Sequence, residues 1–182
     1  NLWIQGKLNP NLIAKPAYDI AKLVGLQRPE MKQAKILMVE ETGTGHEHPF
    51  SGEKLSPVLT LYRADNFETA CHRIIELYEF QGKGHSVGLH SMDESRPLEM
   101  GLKLPACRVI VNQPHCLATG GSFGNGMPFS LSMGCGTWGK NSISDNLNYR
   151  HFINVVRLVH PINPIEPSEE EIFGDFWKKH GR

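Results

Sequence analysis

The sequence predicts an α/β domain, because short apolar strands alternate with helical segments along most of the chain. Its 182 residues suffice for one domain with a sizeable core, and they contain neither a repeat nor a low-complexity tract. Nineteen basic and nineteen acidic side chains give a formal net charge of zero, which argues against a nucleic-acid partner or an anionic membrane bound by bulk electrostatics. No apolar run reaches the roughly 20 residues of a membrane span, and no signal peptide is recognisable. We therefore expect a cytoplasmic protein.

Helix and strand signals divide the first half of the chain into four elements. Pro16 is typical of a first helical turn, and Gly25 is typical of the residue that follows a helix. Asn66 is a favoured N-cap, and apolar side chains recur after it with helical spacing. The predicted elements are a helix from Pro16 to Val24, strands at 35–39 and 57–62, and an amphipathic helix after Asn66.

The second half continues the alternation and then becomes rich in proline. Three prolines after position 160 mark a spacer. Ser168 and Glu171 have the spacing of a capping box, which predicts a last helix. The predicted elements are strands at 85–90 and 108–112, a short helix at 98–102 between them, a late strand at 154–159, and the C-terminal helix.

The cysteines and histidines show no metal-site pattern. There is no CxxC pair, and four cysteines do not make a dense disulfide framework in a chain of this length. Cys71, on the apolar face of a predicted helix, and Cys107, at the start of a strand, are expected to be buried. Cys135 lies between two glycines and is the thiol for which we expect a function. The His-Glu-His run at 46–48 lies among Gly, Thr and Pro residues, so we expect a solvated loop there and no metal.

The stretch from Gly120 to Gly139 holds seven of the chain's eighteen glycines together with three aromatic residues. A flexible linker lacks such aromatics, so we expect an ordered loop whose backbone closely approaches a ligand or another strand. Within it, residues 134–139 match the pattern GxGxxG. A dinucleotide-binding turn also needs a helix that opens on the last glycine and an acidic residue about 20 positions later. Residues 140–144 are a poor helix start and Asp145 comes too early, so the sequence argues against that turn.

Two single residues are further candidates. Glu53 lies just before a predicted strand, where one carboxylate can accept two hydrogen bonds from a ribose; the alternative is a solvated turn residue. His85 follows Gly84 at the start of a predicted strand, where an imidazole serves as an acid–base group or hydrogen-bond donor; the alternative is a structural histidine. The residue types alone leave both questions open.

Taken in chain order, three motifs resemble the CoA-acylating branch of the aldehyde dehydrogenase superfamily. They are Glu53-Lys54-Leu55-Ser56-Pro57, Gly82-Lys83-Gly84-His85-Ser86, and Gly134-Cys135-Gly136-Thr137-Trp138-Gly139 followed by Asn141-Ser142-Ile143-Ser144. The predicted helix at 16–24 agrees with a helix of the same branch. The resemblance extends to about Val159, and its last part, residues 123–152, looks most similar to acylating sulfoacetaldehyde dehydrogenases.

The resemblance implies the C-terminal catalytic domain of such an enzyme. It implies an open twisted sheet with helices at 1–153, an oligomerisation strand at 154–163 and a helical tail at 164–182. It also implies a small aldehyde substrate, NAD or NADP, and coenzyme A, with a thioester formed on a cysteine. In this family the nucleophilic cysteine and the NAD(P)-binding domain precede the segment that corresponds to Asn1. We therefore expect a C-terminal fragment that is inactive by itself.

Residue by residue, the resemblance implies that Glu53 contacts the nicotinamide ribose and that His85 lies in the active site as a catalytic residue. It implies that Gly134 and Cys135 lie near the aldehyde pocket, and that Cys135 is not the nucleophile. The strand at 154–159 is implied to pair with a neighbouring subunit and so to build a homo-oligomer. Two other functions stay open: CoA-independent oxidation of an aldehyde to its acid, and a stand-alone oligomerisation or binding module.

Overall fold

The strands of this protein pair two by two, in three small open sheets. The computed structural model describes residues 2–26 and 28–182. Strands β1 (Trp3–Ile4) and β2 (Lys7–Leu8) form an antiparallel hairpin, whereas β3 (Leu37–Glu40) pairs in parallel with β4 (Val58–Leu61), and β5 (Val87–Leu89) pairs in parallel with β6 (Val109–Val111). The α-helices of the described residues are α1 (Ala17–Leu23), α2 (Phe67–Gln81), α3 (Arg96–Lys103), α4 (His115–Ala118) and α5 (Glu169–His180).

The mixture of helices and strands with open sheets confirms the predicted fold class, but the described residues do not form the single sheet that we expected. Each parallel pair is only three or four residues long and packs against its own apolar cluster. The buried members of the two clusters are Cys71, Val87, Met100, Leu104 and Ala106 near β5, and Leu12, Ile20 and Val58 near β4. Because burial of apolar surface is divided between two cores, two short strand pairs form instead of one wide sheet.

The predicted helices and strands of residues 1–151 are present, with boundaries shifted by one to three residues. Helix α2 begins where it was predicted, because the Asn66 side chain accepts a hydrogen bond from the Thr69 amide at 2.9 Å in a capping box. Cys71 on this helix is buried, as predicted. Cys107 is only partly buried, because its sulfur faces the glycine-rich loop at Gly136 rather than the core. None of the described helices combines the length and the apolar composition that crossing a membrane requires.

Residues 152–182 form a unit of their own, distinct from residues 1–151. Helix α5 is capped as predicted by the reciprocal hydrogen bonds of Ser168 and Glu171. The predicted strand at 154–159 is not formed, because residues 152–182 contain no second strand with which it could pair. Its apolar side chains Val155, Val156, Leu158 and Val159 are 62–87% exposed. Pairing of this segment with a neighbouring subunit stays a prediction.

Candidate active site

The glycine-rich loop packs against Gly84, just before β5, as expected of an ordered loop whose backbone closely approaches another segment. Gly84 has a φ of 100°, and a Cβ atom there would overlap the carbonyl group of Cys135. The Gly84 amide donates a hydrogen bond to the Pro105 carbonyl at 2.8 Å, which holds Gly84 in place. The residue after Gly84 is His85, so the contact brings a predicted catalytic residue next to the predicted pocket residues.

The GxGxxG pattern in the same loop does not lead into a helix. Residues 137–139 form a single 3-10 turn, and Lys140 after it is left-handed, with a φ of 58°. A helix N-terminus that could bind a pyrophosphate is therefore not formed at Gly139. The argument against a dinucleotide-binding turn at this position is confirmed.

Arg108 ties the two segments of the site together. Its guanidinium is buried, and Nη1 donates to the carbonyl oxygens of both His85, at 3.0 Å, and Gly134, at 2.9 Å. Nη2 donates to the Ser144 carbonyl at 3.2 Å, and Nε donates to Oδ1 of Asn146 at 2.9 Å. A planar guanidinium offers five donors in a fixed fork, and here it satisfies acceptors from three separate segments.

Asn146 extends this network to the far side of the glycine-rich loop. The side chain is buried, and its Nδ2 donates at 2.9 Å to the carbonyl oxygens of Thr119 and Pro128. Buried backbone carbonyls need a hydrogen-bond donor. The side-chain amide of Asn146 donates to two such carbonyls. The loop is therefore held by buried hydrogen bonds and does not behave as a flexible linker.

His85 belongs to a chain of three polar side chains. Its Nδ1 lies 2.6 Å from Oγ of Ser86, and the same oxygen lies 2.9 Å from Nε2 of His115, the first residue of α4. Burial lowers the pKa of His85, and the nearby Arg108 lowers it further. Burial and the neighbouring His85 lower the pKa of His115 in the same way. The lowered pKa values favour the neutral form of both rings, which lets His85 act as a proton acceptor.

Cys135 is part of the loop backbone that meets Gly84, and it is partly buried. Its amide donates to Oδ1 of Asn141 at 2.8 Å. A Cβ atom at Gly139 would overlap the Cβ atom of Cys135, so the thiol side chain is packed closely against this glycine. Both Cys135 and the neighbouring Cys107 are free thiols, and burial raises the pKa of Cys107.

Glu53 lies apart from His85 and Cys135, in the turn before β4. Its amide donates to Oε1 of Gln81 at 2.9 Å, which ties the turn to the end of α2. The carboxylate is exposed and borders a cavity of about 450 Å³, which is also lined by Trp3 and Phe80. That lining includes neither His85 nor Cys135. The structure thus brings His85, Gly134 and Cys135 together, but it leaves Glu53 in a separate cavity.

The turn that carries Glu53 has an unusual backbone. Leu55 has a φ of 46°, a left-handed backbone conformation that is energetically unfavourable for a residue with a bulky side chain. The hydroxyl of Ser56 is buried and has no hydrogen-bond partner among the described residues. The Lys54 ammonium spans the turn and donates to the Phe50 and Gly52 carbonyls at 2.7 and 2.6 Å. Strain of this kind persists only where surrounding contacts enforce it, and it is concentrated at functional sites.

The two histidines at 46 and 48 each contact a side chain of the protein. His46 packs edge-on against Phe80, with ring centroids 5.2 Å apart. His48 Nδ1 lies 2.9 Å from the Glu41 carboxylate, whose pKa is lowered by the Thr42 amide and by His48. Within the part of the chain that the structure describes, no group of three or more side chains could hold a metal ion.

Sequence reasoning missed Arg108, Asn146 and His115. Each is an ordinary polar residue in the sequence, and the partners of these three side chains lie 18–38 positions away. Most of their partners are backbone carbonyls, which carry no sequence signature. The signal that was available is the arginine at the first position of the strand predicted at 108–112, since a buried arginine must be satisfied by several acceptors.

Known proteins similar to this chain include two curated enzymes and a solved structure. The chain is 51% identical over 181 residues to a sulfoacetaldehyde dehydrogenase (acylating) of Cupriavidus necator, a match that covers 100% of the chain and 37% of that enzyme. It is 40% identical over 174 residues to a succinate-semialdehyde dehydrogenase (acetylating) of Clostridium kluyveri, a match that covers 95% of the chain and 38% of that enzyme. An acetylating aldehyde dehydrogenase from Geobacillus thermoglucosidasius superposes with a TM-score of 0.76 at 34% identity, covering 92% of the chain and 36% of that structure. No protein-family model matches the chain.

These similarities show that the chain is homologous, over essentially its whole length, to the acylating aldehyde dehydrogenases. Within that class, its close homologues are acylating sulfoacetaldehyde dehydrogenases. The chain spans little more than a third of the length of the curated relatives that it matches. The family resemblance inferred from the three motifs is confirmed.

Proposed function

We propose that these residues belong to a CoA-acylating aldehyde dehydrogenase that uses NAD or NADP and takes sulfoacetaldehyde as its substrate. The observation that carries the proposal is the 51% identity over 181 residues to the Cupriavidus necator enzyme of that name. The geometry supports it because His85, Gly134 and Cys135 lie close together. Arg108 joins their two segments by hydrogen bonds to the His85 and Gly134 carbonyls. A neutral imidazole is suited to proton transfer in an acyl-transfer reaction.

The turn at Glu53 fits the role of a ribose-binding site. The carboxylate is exposed and makes no hydrogen bond or ion pair with the described residues, so both of its oxygens are available to hydroxyl donors. Tethers from Gln81 and Lys54 hold the turn in its strained shape before any ligand arrives. When NAD or NADP is bound, its nicotinamide supplies the hydride acceptor.

In the proposed reaction, His85 acts as general base toward the thiol of coenzyme A. Its Nδ1 is occupied by Ser86, so Nε2 is the atom that receives the proton. The S–H bond of the thiol breaks, an N–H bond forms on His85, and the thiolate attacks the carbonyl carbon of the enzyme thioester. The cysteine thiolate of the enzyme then leaves and the acyl-CoA product is complete.

Gly134 and Cys135 are proposed to form a wall of the aldehyde pocket. The Gly134 carbonyl is fixed by Arg108, and the Cys135 side chain is packed against Gly139. In this proposal the nucleophile is another cysteine, as the resemblance implies. We therefore expect Cys135→Ser to keep most of kcat and to change mainly KM for the aldehyde.

The full-length gene product that contains these residues tests the proposal. We expect sulfoacetaldehyde to yield a CoA thioester and reduced nicotinamide cofactor. Succinate semialdehyde is assayed in parallel as the alternative substrate. Mass spectrometry identifies the thioester. His85→Asn is expected to lower kcat about 100-fold, because the general base is lost. Glu53→Gln is expected to raise KM for the nicotinamide cofactor about tenfold, because one charge-assisted hydrogen-bond acceptor is weakened. His90→Asn, at an exposed histidine near the end of β5, is the matched control.

Three results would contradict the proposal. A carboxylic acid formed at the same rate with and without coenzyme A would identify a CoA-independent dehydrogenase. The same loss of activity in His90→Asn as in His85→Asn would remove the specific role of His85. Absence of any aldehyde oxidation would favour a binding or oligomerisation module.

We also propose that the segment at 154–159 pairs with a neighbouring copy of the chain. Four of its aliphatic side chains are exposed, and its backbone has no strand partner within residues 152–182. Deletion from Asn154 onward is expected to lower the mass measured by light scattering to that of a smaller assembly. An unchanged mass would count against the pairing.

A further inference from the structure

We propose that Ser86 and His115 are positioning residues that set the tautomer and the ring orientation of His85. The inference rests on the proposed role of His85 as a general base, and it assigns a task to Ser86, the last residue of the second motif, and to His115, which lies outside the three motifs. It is carried by the continuous chain of side-chain contacts from His85 through Ser86 to His115.

The single hydrogen of the central hydroxyl decides how protons are arranged along this chain. A serine hydroxyl has one hydrogen and two lone pairs, so it donates to at most one of the two rings. If it donates to His115, His85 donates from Nδ1 and its Nε2 has a free lone pair. If it donates to His85, the His85 proton sits on Nε2, and that atom cannot act as a base. If both rings donate to Oγ, the His85 proton is again on Nδ1, but His115 accepts no bond from Ser86. We assign the first arrangement, in which His85 donates to Ser86 and Ser86 donates to His115.

The backbone of this chain is fixed from both sides. Arg108 donates to the His85 carbonyl at 3.0 Å, and the Tyr78 hydroxyl donates to the Ser86 carbonyl at 2.8 Å. Because neither peptide group can rotate freely, the two side chains leave the backbone just before β5 in defined directions. The contact between Nδ1 and Oγ is thus fixed by the backbone of this segment.

Gly88 provides the space in which His115 reaches Ser86. A Cβ atom at Gly88 would lie 2.8 Å from Nδ1 of His115, too close for an ordinary contact. An alanine at this position must displace the ring from Ser86. The absence of a side chain two residues after Ser86 is therefore part of the arrangement.

The assigned arrangement survives the catalytic proton transfer. When Nε2 of His85 accepts a proton, Nδ1–H continues to donate to Ser86, and Ser86 continues to donate to His115. A neutral His115 can accept this bond, and burial together with the adjacent His85 lowers its pKa and favours the neutral ring. The charged Arg108 guanidinium donates to the backbone carbonyl of His85 and makes no hydrogen bond to its ring.

Nitrogen NMR of the full-length gene product, labelled with 15N-histidine, reads the tautomer directly. The His85 signal is assigned by its disappearance in His85→Asn. We expect the Nδ1–H tautomer in the parent protein, and an increased share of the Nε2–H tautomer in Ser86→Ala, His115→Phe and Gly88→Ala. His115→Gln keeps an acceptor near the position of Nε2 and is expected to keep the Nδ1–H tautomer. His90→Phe is the matched control.

Kinetics provides the second measurement. We expect Ser86→Ala and His115→Phe to lower kcat for thioester transfer about tenfold, with KM for the aldehyde unchanged within about twofold, as is typical when a group that orients a reacting residue is lost. His115→Gln is expected to restore most of kcat. If His115→Phe does not fold, Ser86→Ala and His115→Gln still provide the comparison.

An Nε2–H tautomer in the parent protein would overturn the assignment, as would unchanged tautomer and kcat in both Ser86→Ala and His115→Phe. If the parent protein forms no acyl-CoA, the proposed function fails. The NMR measurement then still decides whether Ser86 and His115 control the His85 ring.

Discussion

Two cations hold backbone carbonyls in place in two different regions of the molecule. Arg108, just before β6, bonds to three carbonyls and one amide oxygen. Lys54, in the turn before β4, bonds to the Phe50 and Gly52 carbonyls and to Oγ1 of Thr60. Neither cation is hydrogen-bonded to a carboxylate among the described residues, so both are satisfied by neutral oxygens.

The two cations differ in how far along the chain their partners lie. The acceptors of Arg108 are 23 to 38 residues away, whereas those of Lys54 lie within six residues. The guanidinium presents several donors in fixed directions and can join separate segments, whereas the ammonium is a compact charge that stabilises one turn. An arginine thus assembles the His85 site from distant segments, and a lysine shapes the local Glu53 turn.

Removal of the Arg108 guanidinium is expected to have the largest effect. Arg108→Met leaves three carbonyls without their donor and separates His85 from Gly134. We expect a loss of about 4 kcal/mol in the free energy of unfolding, together with loss of thioester-forming activity. Urea denaturation of the full-length gene product measures the first effect. Arg63→Met is the matched control, since Arg63 is exposed and pairs with an exposed glutamate.

Arg108→Lys separates charge from geometry. A single ammonium cannot reach both carbonyls and Asn146 at once, so we expect most of the destabilisation to persist. If Arg108→Lys is as stable and active as the parent protein, a positive charge alone is sufficient at this position. The proposed difference between a guanidinium and an ammonium would then be wrong.

Lys54→Met is expected to have a smaller and more local effect. Loss of three charge-assisted hydrogen bonds in a partly buried turn is expected to cost about 2 kcal/mol. KM for the nicotinamide cofactor is expected to rise while the His85 chemistry is unaffected. Lys35→Met, at an exposed lysine, is the control. A larger loss of kcat than in Arg108→Met would reverse the comparison.

Tyr78→Phe examines a neutral hydrogen bond in the Arg108 region. The Tyr78 hydroxyl donates to the Ser86 carbonyl, and burial raises the pKa of this tyrosine to about 12. We expect a loss of about 1 kcal/mol in the free energy of unfolding, since one buried carbonyl loses its donor. Tyr149→Phe, at an exposed tyrosine, is expected to be neutral. An equal effect of the two substitutions would show that the bond to Ser86 does not stabilise the protein.

Acid is expected to weaken the His85 region. The pKa values of His85 and His115 are lowered in the folded protein, chiefly by burial, with Arg108 acting on His85 and His85 acting on His115. The unfolded chain therefore takes up protons first as the pH falls through about 6.5. The free energy of unfolding is expected to fall between about pH 7 and pH 5, and His85→Asn with His115→Phe is expected to flatten this dependence. An unchanged slope in the double variant would assign the pH effect to other groups.

Local signals in the sequence predicted most of the secondary structure. The capping boxes at Asn66 and Ser168 fix the starts of α2 and α5 through hydrogen bonds within four residues, so a short window contains all the information. The glycine-rich loop was predicted to be ordered because aromatics accompany its glycines. His85, Gly134 and Cys135 were predicted from a resemblance and lie close together in the structure.

The residues that assemble the site were not predictable in the same way. The partners of Arg108 are carbonyls of residues whose side chains are irrelevant to the bond, so no residue type indicates them. His115 is one of nine histidines, and its contact with Ser86 depends on the packing of α4 beside β5. The strand predicted at 154–159 failed to form because a strand depends on a partner, and a partner is not a property of the segment itself.

The close approach of Gly84 to the glycine-rich loop also limits which sequences can encode this site. A methyl group at Gly84 would overlap the Cys135 carbonyl, and one at Gly134 would overlap the Ile143 carbonyl. A mutational scan will therefore record both positions as intolerant to substitution, although a glycine contributes no functional group. In an evolving lineage these two codons are expected to stay fixed while exposed loop residues such as Phe123 diverge. Invariance at positions 84 and 134 would then reflect close backbone contacts, whereas invariance of His85 would reflect its proposed catalytic role.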